Sequence, residues 1–188
     1  MKRLLLFVLL AGNWECARLA VMKEGIKQPA LEDFHSLSAF LLEKQIDTSE
    51  LICLKDTAAL HWVYHKKIAL PGSRFFNRNG ELVDYRESPE DCNGKVAEFI
   101  KKAESINQLT PVSGEHLGQY VKNLVYTHNG QSFQLENAPY DAYLVIYWVK
   151  YLGNVNKTKV FDWLALADEA RRRGVNIRVI KINADYQR

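Results

Sequence analysis

The sequence predicts an α/β protein in three layers, α/β/α, with a mixed central sheet. Two observations carry this prediction. A strand, a sharp polar break, a long helix and a further strand occur twice along the chain, the pattern of alternating elements that builds sheets covered by helices. Between the two copies lie a hairpin signal and a closing helix, which add antiparallel pairing to the sheet.

The elements follow in order. Leu4 to Leu10 is a continuous apolar run, as a buried parallel strand should be, and Ala11 to Cys16 is the first polar break. A helix is expected near Pro29 to Gln45 and a strand over Leu51 to Lys55. A short helix, Thr57 to Lys67, starts at a cap on Asp56 or Thr57. Leu70, Pro71 and Gly72 break the pattern. Ser73 to Phe76, the turn Asn77 to Gly80 and Glu81 to Arg86 then read as a hairpin. The amphipathic helix Lys95 to Ile106 closes this unit, and Asn107 to Gly114, containing Thr110 and Pro111, reads as a linker. Val121 to Tyr126 and Ser132 to Leu135, joined through His128, Asn129 and Gly130, read as a second hairpin. Ala142 to Val149 is the second central strand. It leads into a helix over Lys157 to Arg173 and a strand over Val175 to Ile182.

The two copies align as a weak internal repeat. Asp33 and Phe34 lie with Asp162 and Trp163, Leu37 with Leu166, and Glu50 to Asp56 with Ile177 to Asn183. The expected organisation is a unit over residues 1–106, a linker over 107–114 and a second, C-terminally incomplete unit over 115–188. The second unit stops at Asn183 to Arg188 without a closing hairpin, so its sheet would present an unpaired apolar edge. A longer chain, the first unit or another subunit, as in a homo-oligomer, would complete it.

Two stretches resemble the thioredoxin-like superfamily. Leu70 to Phe76 followed by Asn79 to Val83 is similar to the family's cis-proline strand and final hairpin, with Pro71 as the proline that faces the active-site loop. His128 to Leu135 running into Tyr143 to Trp148 is similar to the opening hairpin and central strand of the extracytoplasmic, TlpA-like branch. In that branch an aromatic-Trp pair precedes a Cys-x-x-Cys motif. Here Tyr147 and Trp148 are followed by Leu152 and Val155 at the two cysteine positions, so this site cannot cycle a disulfide. In the first copy the same comparison puts Asn13 and Cys16 there, which leaves only the resolving thiol.

Composition narrows the function classes. A formal charge of +3 from 25 basic and 22 acidic residues leaves no basic stripe to track a phosphate backbone, which argues against nucleic acid. The one dense basic cluster, Arg171 to Arg173 before Gly174, is a helix end in which cations complement the dipole. The apolar run at Leu4 to Ala11 is too short to span a bilayer. With Met1, Lys2 and Arg3 before it, the run also has the regions of a secretory signal. Glu15 before Ala17 and Arg18 before Ala20 make poor cleavage sites. A signal over residues 1–20 implies a periplasmic or secreted protein, and a strand implies a cytoplasmic one. If the signal is removed, Ala142 to Val149 is the one central strand and inserts into the N-terminal unit as a single rearranged domain.

Cys16, Cys53 and Cys92 make no close pair, and Cys53 reads as a small core residue. Cys92 reads as an unreactive surface thiol. His61 and His65 lie four apart on one helix without a third ligand nearby, so no metal site is expected, and no cofactor motif occurs. Asn156, Lys157 and Thr158 match the N-glycosylation pattern. The leading expectation is a protein without catalysis that holds a polypeptide at its cis-proline face, with Pro71, Asn13, Trp14, Trp148 and Tyr151 as binding residues. The alternatives are a thiol-disulfide protein working through Cys16 alone as its catalytic residue, and a secreted structural protein with no site.

Overall fold

A computed structural model of the chain describes residues 23–86 and 93–187. The predicted first strand, with Asn13, Trp14, Cys16 and the possible signal, lies outside the described residues, as does Cys92. The described elements begin with β1 (Leu31–Glu32), α1 (Phe34–Glu43), β2 (Ile52–Leu54), α2 (Thr57–His65), β3 (Gly72–Asn77) and β4 (Leu82–Val83). They continue with α3 (Val96–Lys101), α4 (Leu117–Val121), β5 (Leu124–Tyr126), β6 (Ala142–Trp148), α5 (Asp162–Arg172), β7 (Ile177–Asn183) and β8 (Tyr186–Gln187).

One mixed sheet has the order β4-β3-β6-β7-β2-β5. β6 runs parallel to β7, which runs parallel to β2, while β3 pairs antiparallel with β6 over its whole length, from Gly72 against Tyr147 to Asn77 against Ala142. Every residue of β6 is buried, as an interior strand covered on both faces requires. Its alternate side chains divide the core. Leu144, Ile146 and Trp148 meet Leu37 and Leu41 of α1, Ile100 of α3 and Trp163 of α5. Tyr143, Val145 and Tyr147 meet Leu60 and Val63 of α2 and Tyr120 of α4. Helices therefore cover both faces of the sheet. Each large side chain so enclosed contributes roughly 1.5–3 kcal/mol of burial free energy.

Strands from both halves of the chain interleave in this sheet. β6 and β7 lie between β3 and β2, so the apolar edge expected on the second copy is filled by the first. The predicted separation of 1–106 from 115–188 thus does not yield two sheets. This placement of β6 follows the inserted-strand arrangement, with β6 beside the strand that Pro71 opens. The segment read as a linker is also bonded to the sheet: Val112 N–H donates to Leu82 O at 2.8 Å, and just past its end Glu115 O accepts from Leu82 N–H at 3.0 Å.

Local chemistry sets the helix ends. Asp56 is the cap of α2, its carboxylate accepting from Ala59 N–H at 2.8 Å. α1 starts later than Pro29 because Asp33 and Ser36 form a reciprocal capping box, and the residues before it pair with the C-terminal segment, Leu31 opposite Tyr186 and Glu32 opposite Gln187. Val121, expected in a strand, closes α4, and pairing begins at Leu124. The helix expected over Lys95 to Ile106 turns into a 3-10 segment at Ala103–Gln108. The last long helix begins with one α-turn and a π segment, Lys157–Phe161, before α5. Its end conforms to the capping reading: Gly174 takes φ +96°, and Val175 N–H donates back to Ala170 O. Among the described residues no helix is long and apolar enough to cross a membrane.

Candidate functional site

The carboxyl ends of the parallel strands β6, β7 and β2 gather the polar and aromatic groups that the core does not use. Crevices outside the carboxyl ends of parallel strands are the general location of ligand sites in α/β sheets. After Trp148 the chain makes a 3-10 turn, Lys150–Leu152, and reaches Gly153 at φ +52°. A Cβ at Gly153 would collide with the carbonyl oxygens of Glu24 and Gly25, so this position combines a conformation and a close approach that only glycine meets. The covering segment is held by two bonds, Lys27 N–H to Tyr151 O at 2.8 Å and Asn154 Nδ2 to Lys23 O at 3.3 Å.

Behind the turn sits a polar network. Lys150 N–H donates to Asp185 Oδ2 at 2.6 Å, and Asn183 Nδ2 donates to the same oxygen at 2.7 Å. Lys150 Nζ pairs with Glu32 Oε2 at 2.6 Å, and Ser36 Oγ donates to that oxygen as well. Asp185 is buried, and this burial pushes its carboxyl above the usual aspartate value. The donors from Lys150 and Asn183 pull the other way, and the charge of Glu32 adds to the rise.

The same edge carries exposed apolar and aromatic side chains. Leu31 is 59% exposed and sits opposite Tyr186, which is 49% exposed, and Tyr64 of α2 is 54% exposed. Tyr151 is half-buried and within electrostatic range of Tyr64, Tyr186 and Asp185; burial is the main cause that raises its phenol. Two clefts flank this patch. One of about 290 Å3 is lined by Leu31, Leu60, Asp185 and Tyr186, and one of about 310 Å3 by Glu32, Phe40, Lys150 and Tyr151. The backbone edges of β1 and β8 have no further partner strand among the described residues.

The residues named from sequence distribute unevenly over this edge. The Leu70–Pro71 peptide bond is cis, and Pro71 is buried immediately before β3, opposite the end of β6. Tyr151 belongs to the patch. Trp148 points into the core and stacks on Phe40, with ring centroids 6.0 Å apart, so its indole is not offered to solvent. Leu152 and Val155 are half-buried and carry no thiol. Asn156 is wholly buried and donates to Val149 O at 2.8 Å, which leaves the glycosylation pattern without an accessible amide. His61 and His65 are both exposed, and among the described residues no three His, Cys, Asp or Glu side chains group as a metal site. Tyr64, Glu32, Asp185 and Tyr186 were not legible as site residues. The one available signal was an aromatic at Tyr64 on the polar side of an amphipathic helix.

Fold and site together define a mixed α/β protein with an aromatic, polar-backed edge at the carboxyl ends of its parallel strands. No protein-family model matches the chain, and no curated protein or solved structure matches it either.

Proposed function

We propose that this chain is a thioredoxin-like protein without catalysis that holds an extended polypeptide at the carboxyl edge of its sheet, as an interaction or chaperone-like module. The observation that carries the reading is the group of exposed Leu31, Tyr64 and Tyr186 with half-buried Tyr151, beside the turn in which Leu152 and Val155 replace the family's cysteines. Tyrosines of this kind supply large contact area at low entropic cost and are enriched where binding energy concentrates. The occupant is an extended segment because β1 and β8 offer unpaired backbone beside the patch, the arrangement that strand addition uses. The hairpin of β3 and β4 that follows Pro71 further supports the thioredoxin-like reading.

The test is retention of a pool of random nonapeptides by the immobilised full chain, read by mass spectrometry. The native chain is expected to retain peptides, and a Tyr64→Ser/Tyr186→Ser variant about tenfold less or lower still. Both side chains are exposed, so the variant keeps the fold. Equal retention by the two proteins, or none by either, rejects the reading.

A further inference from the structure

The cleft of about 290 Å3 beside the aromatic patch carries a buried carboxylate that has no counter-ion. Its lining joins the apolar Leu31, Leu54 and Leu60 and the ring of Tyr186 to the charged Lys55, Asp56 and Asp185. Asp185 is only 6% exposed, and its Oδ2 takes Lys150 N–H at 2.6 Å and Asn183 Nδ2 at 2.7 Å. No donor reaches Oδ1 among the described residues, yet Oδ1 is not one of the sealed, unpartnered polar atoms of the core. An open, unmet acceptor thus remains on a side chain that lines a cleft.

The charges around it do not balance this carboxylate. Among the described residues no basic side chain lies within ion-pair distance of Asp185, because Lys150 Nζ pairs instead with Glu32 Oε2 at 2.6 Å. At Asp185 the repulsion from Glu32 outweighs the attraction of Lys150, and burial adds to the penalty on the charged form. Asp56 is engaged as the cap of α2, accepting from Ala59 N–H at 2.8 Å and offsetting the positive end of that helix. Lys55 is exposed beside it, so water and Asp56 screen its charge. A charge withdrawn from water needs an opposite charge and a full set of hydrogen bonds, and Asp185 lacks both.

We propose that this cleft takes a lysine side chain of the bound polypeptide, its ammonium on Asp185 Oδ1 and its methylene stem along Leu31, Leu54 and Leu60. This rests on the polypeptide-binding reading above. Leu31 and Tyr186 belong both to the cleft and to the exposed patch, so a segment held on the patch has the cleft beside it. A lysine buries its apolar stem while its charged head keeps a polar partner, which matches a cleft of leucines with one carboxylate. Arginine suits it less well, since a guanidinium fork wants two free oxygens and Oδ2 is already engaged.

The experiment uses the nonapeptide pool synthesised in two isotopically distinct halves, both N-terminally acetylated. One half carries free lysine and the other Nε-acetyl-lysine, which keeps the stem and removes the charge. Among lysine-containing peptides retained by the immobilised full chain at pH 7.5, the free half is expected in about tenfold excess, the worth of a charge-assisted hydrogen bond. Asp185→Asn, which keeps an acceptor for Lys150 N–H, is expected to retain the two halves equally, and Asp56→Asn to keep the preference. Native retention without preference overturns this inference and leaves the polypeptide-binding reading standing. No retention of either half overturns both. A preference that survives in Asp185→Asn also overturns it, since another carboxylate would then supply the attraction. On the native chain, a water-soluble carbodiimide should join the retained lysine amine to Asp185 as an amide, and joining elsewhere or nowhere overturns the inference. That readout does not depend on how a variant folds.

Discussion

The backbone N–H of Lys150 donates to the carboxylate of Asp185 at 2.6 Å, tying the turn after β6 to the segment after β7. The bond closes the edge of the sheet from behind, and it places a buried carboxylate two residues past a strand end. Both of its recorded donors, Lys150 N–H and Asn183 Nδ2, meet the same oxygen.

A pH dependence follows from this placement. The folded-state pKa of Asp185 is raised by burial, so the folded protein binds a proton that the unfolded chain, near the ordinary value of about 3.9, has released. Its contribution to stability is complete below that ordinary value and is lost as pH rises through the raised one. Asp185→Asn keeps an acceptor for both donors and removes the ionisation. In urea unfolding from pH 4 to 7 the variant should gain on the native protein as pH rises. A constant difference across that range would show that Asp185 does not titrate as described. Asp185→Ala strands both donors and should cost about 2–4 kcal/mol near pH 4, and less as pH rises, because it too lacks the ionisation.

Gly153→Ala should destabilise the chain by about 2–4 kcal/mol, from the positive φ and from the collision with the Glu24 and Gly25 carbonyls. The damage should be local, so limited trypsin digestion of the variant should cut after Lys23 and Lys27 faster than in the native protein. Unchanged digestion would mean that the covering segment is not held by this turn.

Cys53 is free and buried in β2, and burial raises its thiol above the ordinary range, opposed by the Thr127 hydroxyl. Native chain treated with iodoacetamide at pH 8 should leave Cys53 unmodified, and urea should expose it. Alkylation in the native state at the rate of a free thiol would contradict its placement.

The parts of the fold legible in sequence were those fixed by neighbours along the chain. The apolar run at Ala142 to Val149 gave β6, the acid before Thr57 gave the cap of α2, and the turn at Asn77 to Gly80 gave the hairpin of β3 and β4. The site was much less legible. Pro71 and Tyr151 lie at or beside the carboxyl edge of the sheet, but Trp148 faces the core because strand alternation sets it on the side of Leu144 and Ile146, under Phe40. The parity of one residue in a strand buried on both faces cannot be judged from polarity, since both faces are apolar.

Sequence by itself determined most of the kinds of element, a few of their caps and the burial of Cys53, because caps, turns and periodicity act over a few residues. Tertiary structure alone decided that β6 lies between β3 and β7, that Leu31 pairs with Tyr186, and that Glu32 meets Lys150 across 118 positions of chain. A uniformly apolar strand is compatible with many neighbours. The choice among them is made by which packing encloses both of its faces and leaves the remaining polar and aromatic groups together at one edge.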